Sequence, residues 1–162
     1  METPILTSNL NLFADYFQIY LEDENNGKNL ADSWTDDAVK ILLAVTETTI
    51  GIGTVRNMYV PVILNIFDSE PIFKNDINDI NQINECDIEI TSGSMVIAGC
   101  TDYYPEAKRI KLANAIYRLR IYYGNLEKLS DNGLEGEDFY IIEMWKVKEK
   151  TETKIIKQRD CY

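Results

Sequence analysis

The 162-residue chain carries 27 Asp and Glu against 16 Lys and Arg, a net charge of −11, and no histidine. Such a field repels nucleic acid, nucleotides and anionic lipid, and without histidine the chain lacks the commonest general base and metal ligand. Apolar residues reach 45%, enough for a packed core, yet no apolar run approaches the ~20 residues of a membrane helix.

In chain order, Asp15–Glu22 reads as a first strand, with Phe17, Ile19 and Leu21 on one face and Tyr16, Gln18 and Tyr20 on the other. Ser33 or Thr35 can cap a short helix over Asp36–Ala44, whose first turn carries Asp36 and Asp37 beside the positive end of the helix dipole. Ile50–Val55 and Tyr59–Phe67 are β-branched strands; the glycines of the first signal a bulge or a close backbone approach, and Pro61 places its part of the second at an edge or a strand start. Asn75–Asn84, rich in Asn, Asp and Ile, reads as an exposed loop or short helix.

Ile83–Thr91 and Ser94–Cys100 follow, with Ser92-Gly93 predicting a tight hairpin. Ala115–Tyr123 sets Tyr117, Leu119, Ile121 and Tyr123 against Arg118, Arg120 and Tyr122, the polar face of a half-buried strand. Phe139–Val147 closes the series. The expected fold is therefore mainly β, an antiparallel two-layer sandwich of about 7–8 strands with one short helix.

Charge divides the chain. Residues 1–145 hold 24 acids and 10 bases, a net of −14, whereas residues 146–162 hold 3 acids and 6 bases. We expect an acidic sandwich over residues 1–148 and a basic tail over 149–162, frayed unless Ile155-Ile156 docks. The first residues lack the basic start and apolar stretch of a secretory signal. Cys86, Cys100 and Cys161 form no CxxC pair, so they read as reduced thiols of a cytoplasmic protein, the first two on strands.

No cofactor or metal motif emerges. Gly51-Ile52-Gly53 lacks the third glycine and the following helix of a dinucleotide site. Asp131–Asp138 clusters carboxylates in a glycine-bearing loop, but not at the spacing of a twelve-residue calcium loop. Carboxylates and tyrosines instead suit a surface that grips lysine and arginine. The candidate partner-binding residues are Glu22, Asp23, Glu24, Asp131, Glu135, Glu137 and Asp138, with Tyr103 and Tyr104 as rigid contact area.

The strand Tyr16-Phe17-Gln18-Ile19-Tyr20, the stretch Asp32-Ser33-Trp34-Thr35-Asp36-Asp37-Ala38 and the run Thr54-Val55-Arg56-Asn57 resemble the competence protein J family. The similarity continues in Val60–Glu70, Arg109–Tyr123 and Phe139–Val147, over about two-thirds of the chain. The resemblance implies a small acidic β-sandwich that binds and blocks a nuclease, with no catalytic residues to carry over. The expectation is a non-enzymatic cytoplasmic inhibitor or immunity protein that neutralises a basic nuclease or toxin domain. The competing expectation is a carbohydrate- or calcium-binding sandwich, or a hydrolase using paired carboxylates.

Overall fold

The computed structural model describes residues 3–25, 30–74 and 77–160. The strands are β1 (Leu6–Phe13), β2 (Gln18–Asp23), β3 (Leu43–Val45), β4 (Thr49–Gly53), β5 (Tyr59–Phe67), β6 (Ile80–Ile90), β7 (Ser94–Gly99), β8 (Lys108–Lys111), β9 (Ala115–Gly124), β10 (Phe139–Val147) and β11 (Lys154–Lys157). They form a six-stranded sheet in the order β1-β5-β10-β9-β6-β11 and a five-stranded sheet in the order β3-β4-β2-β7-β8. The mainly β reading stands, with more strands than expected and with β5 and β10 paired in parallel.

Alternation explains the core between the sheets. Ile19 and Leu21 of β2, Ile50 and Ile52 of β4, and Tyr117, Leu119, Ile121 and Tyr123 of β9 all pack into it. The close approach signalled by the β4 glycines is real. A Cβ on Gly51 would lie 2.8 Å from both the Trp34 ring and Leu30, which cover the outer face of the smaller sheet.

The helix α1 (Asp36–Ile41) is shorter than expected. Thr35 caps it, its Oγ1 accepting from Ala38 N–H at 3.2 Å. Leu42 ends it in the left-handed region at φ 61°, its N–H returning to the carbonyls of Ala38 and Val39. Ala44 lies in β3 instead.

Three local readings change. Residues Asp15–Phe17 form a single 3-10 turn, and β2 starts only at Gln18. This turn carries the chain from the larger sheet to the smaller. Tyr16 and Phe17 stand at φ 57° and 60°, which costs non-glycine residues roughly 1–3 kcal/mol each. Surrounding bonds over-determine the turn: Tyr16 N–H donates to Asn57 Oδ1 at 2.7 Å, and Thr54 N–H to the Phe17 carbonyl at 2.9 Å.

Ser92-Gly93 makes no hairpin, because β6 belongs to the larger sheet and β7 to the smaller. It is a corner between layers, with Gly93 at φ 72°.

The stretch Asn75–Asn84 supplies the first part of β6, with Asn75 and Asp76 outside the described residues. Gln82 and Asn84 are buried polar groups, and both are satisfied. Asn84 Nδ2 donates to the Ile41 carbonyl at the end of α1 (2.8 Å), and Gln82 Oε1 accepts from Arg159 N–H (2.8 Å). The basic tail docks on the same strand, since β11 pairs antiparallel with β6, Ile155 opposite Asn84. Of the thiols, Cys86 is buried on β6 and Cys100 lies just past β7; Cys161 falls outside the described residues.

Candidate partner-binding surfaces

The candidate residues fall into two groups near opposite ends of β2: one beside its end at Asp23, the other beyond its start, where Thr54 N–H meets the Phe17 carbonyl and Arg56 meets Asp138. The first gathers Glu22, Glu24 and Tyr104 around Arg109 of β8. Arg109 Nε donates to Glu24 Oε1, and its guanidinium lies 5.0 Å from the centre of the Tyr104 ring. The Tyr104 hydroxyl reaches the Glu24 carbonyl at 3.4 Å. Hydrogen bonding to Arg109 holds the Glu24 carboxyl below its usual range. Tyr103 is exposed beside this group.

Asp23 stands apart from its neighbours. At 1% exposure it faces inward, accepting from Thr91 Oγ1, Ser92 N–H and Ser92 Oγ. It fastens the Ser92-Gly93 corner to the end of β2. Burial pushes its pKa up, but the bonds from Ser92 and Thr91 outweigh that and hold it below the usual value. A carboxylate whose folded pKa is lowered stabilises above its unfolded pKa of about 3.9, and the gain disappears as pH falls through the folded value. Asp23→Asn is expected to cost about 1–3 kcal/mol at neutral pH and to flatten the acid limb of the stability profile. Urea titrations from pH 2 to 7 measure both; an unchanged acid limb would remove Asp23 from this role.

The second group is the loop between β9 and β10. Asp131, Glu135 and Glu137 are exposed on it, and the loop folds on itself through Ser130 N–H to the Glu135 carbonyl at 2.8 Å. Asp138 is buried at 1% exposure, paired with Arg56 Nε at 2.6 Å and accepting from the Tyr140 hydroxyl at 2.7 Å. Arg56 also donates to the Leu134 carbonyl at 3.4 Å, so Asp138 and Arg56 set where the loop stands. Asp23 and Asp138 thus act as supports, whereas Asp131, Glu135 and Glu137 are exposed and Glu22 and Glu24 half-exposed, Glu24 being paired with Arg109.

Beside this second group, Val55 N–H donates to the Tyr140 hydroxyl at 3.0 Å. Val55 is also one wall of a pocket of about 590 Å³ lined by Phe17, Trp34, Val39, Leu42 and Thr54 among others. Reading Asp15–Glu22 as one strand hides this pocket, because only the left-handed turn directs Tyr16 and Phe17 outward.

Among solved structures, the chain superposes on ComJ from Bacillus subtilis, described as the inhibitor of the DNA-degrading activity of NucA. The TM-score is 0.61 at 21% identity, over 91% of this chain and 99% of that one. The chain has the ComJ fold. It also superposes on the product of crocagin biosynthetic gene J, with a TM-score of 0.57 at 17% identity over 87% and 97% of the two chains. No family model and no curated protein sequence matches.

Proposed function

We propose that this protein is a cytoplasmic inhibitor that binds a basic nuclease, a toxin nuclease domain among them, and neutralises it without chemistry of its own. The observation that carries the reading is the ComJ fold, matched over nearly the whole of both chains, in a protein whose net charge is −11. Glu22, Glu24, Asp131, Glu135 and Glu137 supply a negative field that speeds encounter with a cationic partner. Carboxylates at the contact occupy the cationic positions where the nuclease holds nucleic-acid phosphates. Tyr103 and Tyr104 add rigid contact area at one end of the molecule.

The test is DNA cleavage by NucA, the nuclease that ComJ inhibits, and by any nuclease encoded beside this gene, with and without the purified protein. Undiminished cleavage at stoichiometric excess, with no complex on a sizing column, would sink the proposal. The charge contribution is read separately. Neutralising the loop with Asp131→Asn, Glu135→Gln and Glu137→Gln together is expected to slow association about tenfold at low salt. Dissociation changes little, and the difference closes as ionic strength rises. Stopped-flow association at two salt concentrations measures this.

A further inference from the structure

The pocket beside the acidic loop is lined mainly by apolar side chains. Its mouth is rimmed by exposed apolar side chains: Tyr16 is 68% exposed, Phe17 52% and Val39 55%. Two of the three sit in consecutive left-handed residues, and strain of that kind, held in place by surrounding bonds, concentrates at sites that act on something. Asp15 holds the turn from below, its Oδ1 accepting from Tyr16 N–H at 3.1 Å and its Oδ2 from the Thr101 hydroxyl at 3.0 Å. Trp34 lines the pocket as well.

The pocket lies between two acidic flanks. On one side is the loop bearing Asp131, Glu135 and Glu137, tied to the pocket wall through Val55 and Arg56. On the other is the first turn of α1 with the exposed Asp36, three residues before Val39 of the rim; Asp37 faces a neighbouring cleft with Lys40. The opposing cations are Lys40 and Arg159, and the Arg159 guanidinium reaches back to the Lys40 and Val39 carbonyls, closing the wall at the end of α1. An apolar cleft of about 590 Å³, with carboxylates beyond its walls on both sides, matches a short segment of aromatic or large aliphatic side chains flanked by lysine or arginine.

We infer that this pocket is the anchor site of the contact, receiving such an apolar segment from the basic nuclease; the inference rests on the inhibitor reading above. The segment fills the pocket and covers the rim. Anchors of this type set dissociation, while the surrounding carboxylates set association.

The experiment uses the full-length protein and the nuclease that it inhibits in the test above, with Phe17→Gly and Val39→Ser as variants. Glycine at position 17 relieves the left-handed backbone while removing one rim side chain, so its melting temperature is expected to match or exceed that of the parent. Binding of each variant is expected to weaken about tenfold or more, through faster dissociation with an unchanged association rate. Dissociation constants within twofold of the parent for both variants would overturn the anchor site and leave the inhibitor reading standing. Failure of the parent itself to bind or inhibit would overturn the inhibitor reading, and the anchor site with it.

Discussion

Arg120→Met is expected to destabilise the fold by about 3–5 kcal/mol, the cost of breaking a buried ionic cluster by removing one member. Arg120 lies on the outer face of the six-stranded sheet, yet it is only 4% exposed. Its Nε donates to Glu85 Oε2 at 2.7 Å and its Nη1 to the Pro71 carbonyl at 3.3 Å, with Glu143 Oε1 3.5 Å from that same Nη1. The guanidinium is sandwiched between the rings of Phe73 (5.4 Å) and Trp145 (5.0 Å).

Glu143 is fully buried and depends on few groups: Arg120, the Tyr122 hydroxyl at 3.1 Å and Lys74 Nζ at 3.0 Å from its Oε2. Methionine keeps the contact with both rings but leaves Glu143 with less charge compensation in a site closed to water. Adding Glu143→Leu to Arg120→Met is therefore expected to recover part of the loss, because an apolar pair of similar volume avoids the desolvation cost. Urea unfolding followed by circular dichroism measures both steps. A single-variant loss under about 1 kcal/mol, the range of exposed pairs, would mean that the cluster carries little of the fold.

That cluster also marks where the sequence stops being readable. The parity of β9 identifies Tyr117, Leu119, Ile121 and Tyr123 as the core face, and they occupy it. The same parity makes Arg118, Arg120 and Tyr122 a half-buried polar face, but Arg120 and Tyr122 are buried. What covers them is the stretch around Pro71–Lys74, which has no periodicity to read; Lys74 N–H donates to the Tyr122 hydroxyl at 3.2 Å.

Local composition misleads for a similar cause at the start of β6. Gln82 and Asn84 look like loop residues until the end of α1 and the tail bring them partners from distant parts of the chain. The acidic loop is legible as a unit, since Asp131, Glu135 and Glu137 are exposed together. Asp23 and Asp138 are not separable from their neighbours by sequence. Their partners Thr91, Ser92 and Arg56 lie 68, 69 and 82 residues away, a separation that alternation does not encode.

Gly99→Ala is expected to cost at or above the upper end of the roughly 1–3 kcal/mol typical of overpacking. A Cβ at this position would stand 2.0 Å from the Phe13 carbonyl oxygen and 3.0 Å from its carbon. No side-chain rotation relieves that contact, because the obstacle is backbone. Nor can Gly99 retreat easily: its N–H donates to Asp102 Oδ2 at 2.7 Å, and β7 is paired on both edges, with β2 and β8. The displacement must fall on the end of β1, where Ala14 is fully buried and its N–H donates to the Met58 carbonyl at 2.9 Å. The next residues are the strained turn that presents Tyr16 and Phe17. Gly99→Ala therefore links stability to the proposed anchor site in a way that Arg120→Met, on the outer face of the other sheet, does not. At a temperature where both variants remain folded, Gly99→Ala is expected to shift the amide resonances of Phe13–Phe17 and to speed dissociation of the nuclease, whereas Arg120→Met leaves both near the parent values. Matching melting curves for Gly99→Ala and the parent would show that β1 yields at no cost, and the turn would then owe its shape to its bonds with Asp15, Thr54 and Asn57.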